Sequence, residues 1–147
     1  MSSSVVVDAN LAVFSVLKTK QSLVASQVME QLAHQDCQPF APGLWWYEVT
    51  SIIHRYRLAG LISDITAYAA MDLLTIELGV QQVDVPMRNA FDWATRLRQK
   101  AAYDGFYLAA AEQIGAELWT ADQVLANNAK QVGASWVHWM GEIERNR

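Results

Sequence analysis

A chain of 147 residues is long enough to bury a core without disulfide or metal staples. Its 52% hydrophobic and 18% charged residues, with six Trp and only three Pro, exclude disorder and low-complexity linkers. The formal charge of −4, from 11 basic and 15 acidic residues, argues against a broadly basic nucleic-acid coat, yet four acids gathered at one site would leave 11 acidic against 11 basic elsewhere.

The chain opens on Met1-Ser2-Ser3-Ser4, without the basic start and apolar stretch of a signal peptide, and no apolar run is long enough to span a bilayer. A cytoplasmic protein with no membrane partner is expected, with residues 1–3 as a disordered start. The lone Cys37 fits a reducing compartment and removes both an internal disulfide and a cysteine-rich zinc site. Ser4 to Asp8 (SVVVD) is a short β-branched run, the pattern of a strand buried on both faces. From Asn10 the apolar spacing turns helical through Leu11, Phe14 and Leu17, then resumes after Lys18 to Gln21 through Leu23, Val24, Val28 and Leu32. Cys37 to Ala41 reads as a brief second strand closed by Pro42-Gly43. Leu44 to Leu58 is a helix stopped by Ala59-Gly60. Ser63 caps a helix expected to run to about Leu78. Val80 to Val85 follows as a third strand, and Pro86 opens a helix toward Lys100. Tyr103 to Ile114 is an Ala-rich helix ending at Gly115. Ala116 to Thr120 is a fourth strand, Asp122 to Gln131 a helix, Ala134 to His138 a fifth strand, and residues 140–147 a C-terminal tail. Strands alternating with helical crossovers predict an α/β fold: a three-layer α/β/α sandwich around a mostly parallel sheet of about five strands, in a single domain over 1–147.

Ligands in such sheets bind beyond the carboxyl ends of the strands, where Asp8 and Asp122 both fall. Taken singly, each is as readily a helix N-cap. Asp104 lies in the first turn of its helix, above an apolar stripe of Tyr107, Leu108 and Ala111. Glu48 is inside the helix Leu44 to Leu58, on a face shared with Leu44, Trp45, Ser51 and Ile52, where no capping role explains it. Burying an unpaired carboxylate costs several kcal/mol, so such acids need a cation or the rim of a site. An ion pair of Glu48 with Arg88 or Arg96 is one solution; a divalent cation shared by several acids is the other. An all-oxygen donor set suits magnesium or manganese, which also accept phosphate oxygens.

Four segments carry a resemblance that covers nearly the whole chain: VVVDANLAVFSVL around Asp8, PGLWWYEVTSIIHRYRLAG around Glu48, and YDGFYLAAAEQIGAELWTADQVL around Asp104 and Asp122. In this order they resemble the PIN domain and, within it, the VapC-like toxins. The resemblance implies a metal-dependent ribonuclease whose acidic pocket, formed here by Asp8, Glu48, Asp104 and Asp122, holds one or two Mg2+ or Mn2+ ions. A bound water would then attack phosphorus in line, leaving 5′-phosphate and 3′-hydroxyl ends. Thr120 matches a small hydroxyl position beside the last acid. Asn10 matches a small polar position after the first, where it either orients Asp8 or caps the helix. A homodimer and a cognate antitoxin that threads a segment over the pocket are likewise implied. The sequence departs from the family at the Trp45-Trp46 doublet, where aliphatic residues are common, and at Gly105, where Ala is usual. By helix propensity Gly105 loosens the turn carrying Asp104.

RNA needs cations beside the acids, and Arg55, Arg57, Arg96, Arg98 and Lys100 are the candidates, against the plainer reading of a solvated helix face. One of the adjacent Trp45 and Trp46 is expected to face away from the other, and an outward Trp there would suit a protein interface. His34, His54 and His138 read as surface or structural. Two other functions stay open: a non-catalytic PIN-like module that binds RNA or protein, and a PIN nuclease acting on DNA.

Overall fold

The computed structural model describes residues 3–145. Five parallel strands form one sheet in the order β3-β2-β1-β4-β5, from β1 (Ser3–Val7), β2 (Cys37–Pro42), β3 (Gln81–Val83), β4 (Glu117–Thr120) and β5 (Val137–Trp139). The β-branched run of β1 is central because both of its faces are covered. Val6 joins the core on one face, with Trp45, Ile53, Leu74, Leu108 and Leu118. Val5 and Val7 pack on the other, with Val28, Leu32, Trp119, Met140 and Ile143. This is the three-layer α/β/α sandwich that the strand–helix alternation predicts.

The helices are α1 (Ala9–Val16), α2 (Ser22–His34), α3 (Leu44–Leu58), α4 (Asp64–Asp72), α5 (Met87–Leu97), α6 (Tyr103–Ile114), α7 (Gln123–Gln131) and α8 (Glu142–Arg145). The chain lays down β1, β2 and β3 in one direction, then returns to set β4 on the other side of β1. The carboxyl ends of β1 and β4 therefore flank the topological switch point, the crevice where sheets of this kind bind ligands.

Several expectations need correction. Ser3 is a strand residue paired with Cys37 and does not belong to a disordered start; residues 1–2 of that expectation lie outside the described residues. The expected tail is partly core: Met140 is buried, and so is Ile143 within α8, while residues 146–147 lie outside the described residues. The helix capped by Ser63 keeps α-helical geometry only to Asp72. It then widens into a π-helical turn over Leu73–Glu77, closed by the Leu78 N–H on the Leu73 carbonyl, which buries Leu74 completely. The fifth strand begins at Val137 rather than Ala134, because Gly133 and Ala134 are spent on the turn that ends α7, where the Ala134 N–H reaches the Ala129 carbonyl. Neither Trp faces outward: Trp45 is fully buried and Trp46 half-buried in edge-to-face contact with it at 4.8 Å. The neighbouring Tyr47 is the exposed aromatic.

Candidate active site

Asp8 follows β1 and caps α1, its Oδ1 accepting the Leu11 N–H at 2.9 Å. Its Oδ2 accepts the Thr120 hydroxyl and, at 3.3 Å, the Ala121 N–H, so both β4 and the start of α1 fix one carboxylate. Only 8% of Asp8 is exposed, and burial pushes its pKa up to about 6 against the hydrogen bonds from Thr120, Leu11 and Ala121; the charge of Asp104 raises it further. Thr120 is fully buried, and its oxygen also accepts the Asp122 N–H at 2.9 Å. That hydroxyl links the Asp8 carboxylate to the backbone of Asp122, the first and last of the four candidate acids. Asn10, exposed in the first turn of α1, is not the cap: Asp8 is.

Glu48 extends from the second turn of α3. Its Oε1 accepts the Tyr107 hydroxyl at 2.6 Å from α6, and no ion pair with Arg88 or Arg96 forms. Burial raises the Glu48 pKa against that hydrogen bond, and the charge of Asp104 adds to the rise. Asp104, in the first turn of α6, accepts from Gln99 Nε2 at 2.8 Å; burial raises its pKa, with the charge of Asp122 acting in the same direction. Asp122 is exposed and caps α7 through the Leu125 N–H at 3.0 Å. The four acids thus come from four elements and act on one another through Asp104.

Gly105 has a different purpose from the one helix propensity suggests. A Cβ there would lie 2.2 Å from the Ala90 carbonyl oxygen and 3.1 Å from the Ala94 nitrogen, so the missing side chain lets α5 pack directly on the turn that carries Asp104. The glycine secures that turn rather than loosening it.

Sequence reasoning missed Tyr107 and Gln99. Tyr107, read as part of an apolar stripe, is 3% exposed, and its hydroxyl bridges Glu48 and the Ala9 N–H; burial and the Glu48 charge raise its pKa well above the ordinary value, so it stays a donor. The signal was present in its i+3 spacing from Asp104, which sets both on one face of α6.

The proposed cations separate into two groups. Arg55 and Arg57 lie two turns or more beyond Glu48, roughly 10 Å along the α3 axis; Arg55 donates to Ser51 Oγ and Arg57 is paired with Asp64. Arg96 and Arg98 end α5, and Lys100 follows, beside the Gln99 that holds Asp104. His34 and His54 are exposed, and His138 sits between Glu117 and Glu142, so none of the three joins the acids.

The donor set is all carboxylate, as Mg2+ or Mn2+ prefers, and such ions keep several waters as ligands. Among the described residues, no group of three or more His, Cys, Asp or Glu side chains is gathered to hold a metal ion. Each acid is instead turned to a neutral donor: Asp8 to Thr120, Glu48 to Tyr107, Asp104 to Gln99 and Asp122 to the Leu125 N–H. The residues suit an ion held partly through water.

No family model matches the chain, and no curated protein does. Among solved structures the fold is similar to that of PAE2754 from Pyrobaculum aerophilum, at 18% identity and a TM-score of 0.63, over 99% of this chain and 97% of that one. At this identity the likeness shows the shared fold. Among the described residues, no helix is long and apolar enough to cross a membrane.

Proposed function

We propose that this chain is a metal-dependent endoribonuclease of the PIN type, using Asp8, Glu48, Asp104 and Asp122 to hold one or two Mg2+ or Mn2+ ions. The observation that carries the reading is a set of acids at the sheet's switch point with no cation paired to any of them, in which burial, with the charge of Asp104 on Asp8 and Glu48 and of Asp122 on Asp104, raises three carboxyl pKa values. When bound, a divalent ion would supply positive charge for the phosphate oxygens and a water of lowered pKa.

The remaining work falls to the chain itself. Thr120 and the Ala121 N–H keep Asp8 in a single orientation, Tyr107 occupies one oxygen of Glu48, and Gln99 restrains Asp104. Asp122, open to solvent, forms the rim where a strand would enter. No histidine stands at the acids to remove a proton from a ribose 2′-hydroxyl, which favours hydrolysis by water over internal attack. On this reading the chain acts in the cytoplasm as the homodimeric toxin of a VapBC-like pair, restrained by a cognate antitoxin.

The test incubates purified protein with single-stranded and hairpin RNAs in Mn2+, Mg2+ or EDTA, beside Glu48→Gln of verified circular dichroism. Cutting that needs metal and drops by at least about a hundredfold in Glu48→Gln is the expected result. RNA left intact by wild type, with strand binding retained, would favour a non-catalytic module. Cutting confined to DNA would favour a DNA nuclease.

A further inference from the structure

A net charge of −4 and an acid cluster both repel a nucleic-acid backbone, so a strand reaching these acids needs a local cationic approach. Among the described residues, two Lys or Arg side chains are already engaged by acids. Arg57 is tied to Asp64 and Lys130 to Glu142. One groove is different. It lies between the end of α5 and the outer face of α7, encloses about 470 Å³, and is lined by Arg96, Leu97, Arg98, Asn128, Gln131 and Val132. No carboxylate is among those residues.

The groove is shaped for an anion. Arg96 stacks over the Trp93 ring with its guanidinium carbon 4.0 Å from the centroid, and its Nη2 donates to the Val132 carbonyl at 3.0 Å. It forms no ion pair with Asp92, one turn back on the same helix. A guanidinium has five N–H donors, so one bond to a carbonyl leaves the others for a ligand, and the stacked plane loses little freedom when it binds. Arg98 caps α5 in the left-handed conformation, φ 56°, which turns the chain there and leaves its side chain exposed at the groove. Asn128 and Gln131 face the two arginines with neutral amides.

The groove also points at the acids. Arg98 in its lining is the chain neighbour of Gln99, whose amide bonds Asp104. Its other wall is α7, whose N-cap is Asp122; Asn128 lies six residues on, roughly 9 Å along the axis. Both walls therefore run from the acid cluster outward.

We infer that this α5–α7 groove is the track for the phosphodiester backbone of a single strand, with Arg96 and Arg98 each contacting a phosphate on one side of the acids. The inference rests on the ribonuclease reading for the strand's destination, not for its binding. It also separates the two groups of cations: Arg55 and Arg57 are not on the track.

The experiment measures anisotropy of a fluorescein-labelled 12-nucleotide RNA of mixed sequence, in EDTA, across a series of salt concentrations. Glu48→Gln is the background, so that nothing is cut. Arg96→Gln/Arg98→Gln should weaken binding at least about tenfold near 100 mM salt. It should also flatten the slope of log K against log salt by about 1.4, at about 0.7 per single-strand phosphate contact. Arg55→Gln/Arg57→Gln, with the same charge change, should stay within about twofold. Arg98→Glu alone, at an exposed position, should reproduce the loss should the double variant prove unstable.

Equal affinity in the groove variant, equal weakening in both double variants, or no RNA binding by the background protein would each overturn the proposal. Single-stranded DNA of the same sequence showing the same loss would support it, since phosphate contacts ignore the 2′-hydroxyl. The two readings fail separately. A wild type that cuts no RNA but shows this binding pattern would remove the nuclease and keep the track. A groove variant that cuts with unchanged KM would remove the track and keep the nuclease.

Discussion

Glu142 and Asp104 are both part-buried carboxylates at the start of a helix, yet their surroundings push them in opposite directions. Burial raises Glu142, but hydrogen bonds from Lys130, the Trp139 N–H and His138 outweigh it and leave its pKa low. Burial raises Asp104, the Gln99 amide only partly offsets that, and Asp122 adds repulsion. The same contrast extends to Asp8 and Glu48, which have hydroxyl and amide donors and no cation. Around Glu142 the chain neutralises its own acid. Around Asp8, Glu48 and Asp104 it brings acids within electrostatic reach of one another and pairs none with a cation, which is the arrangement expected where a ligand supplies the missing charge.

The sharpest way to break that comparison is to remove charge at each site and compare the signs. A carboxyl whose folded pKa is raised from 3.8 to about 6 binds its proton more tightly in the folded state. Its ionised form therefore costs stability as pH climbs through that window, and the cost is full above pH 6. At about 1.4 kcal/mol per unit this amounts to roughly 3 kcal/mol. Asp8→Asn, which keeps a good N-cap residue, should stabilise the metal-free protein by about 1–3 kcal/mol at pH 8 and by little at pH 4, read from urea midpoints. A destabilised Asp8→Asn at pH 8 would mean that Asp8 is a structural acid like Glu142.

Gly105→Ala tests whether the acid site is held rigidly. The 2.2 Å approach to the Ala90 carbonyl predicts a loss of about 1–3 kcal/mol, where exposed helix sites gain stability from the same change. Tyr107→Phe keeps the buried ring and removes the hydroxyl on Glu48. It should weaken Mn2+ binding about tenfold in calorimetry while leaving the circular dichroism unchanged. The smallest effect is expected at the neutralised acid, where Glu142→Gln should cost up to about 1 kcal/mol, less in high salt.

Much of this was legible in the chain itself. The helices Leu44–Leu58 and Tyr103–Ile114 end where the sequence places their stop signals, Ala59-Gly60 and Gly115. The buried β-branched run before Asp8 marks the central strand, and it brings the first acid to the switch point. What sequence could not supply is tertiary. Tyr107 and Glu48 are 59 residues apart, so their hydrogen bond exists only once α3 and α6 pack. Gly105 looks like a weak helix residue until α5 is seen lying on it. Arg96 was equally plausible as a partner of Glu48, and only the packing of Trp93 and Val132 directs it elsewhere.

The central claim is that the uncompensated acids are a divalent-cation site. The direct measurement is calorimetric titration of Mn2+ into the wild type at pH 7.5, beside Glu48→Gln and Glu142→Gln. Saturable binding in the wild type and Glu142→Gln, lost in Glu48→Gln and accompanied by a raised melting temperature, is what this account predicts. No saturable binding in the wild type, or the same binding in Glu48→Gln, would contradict it.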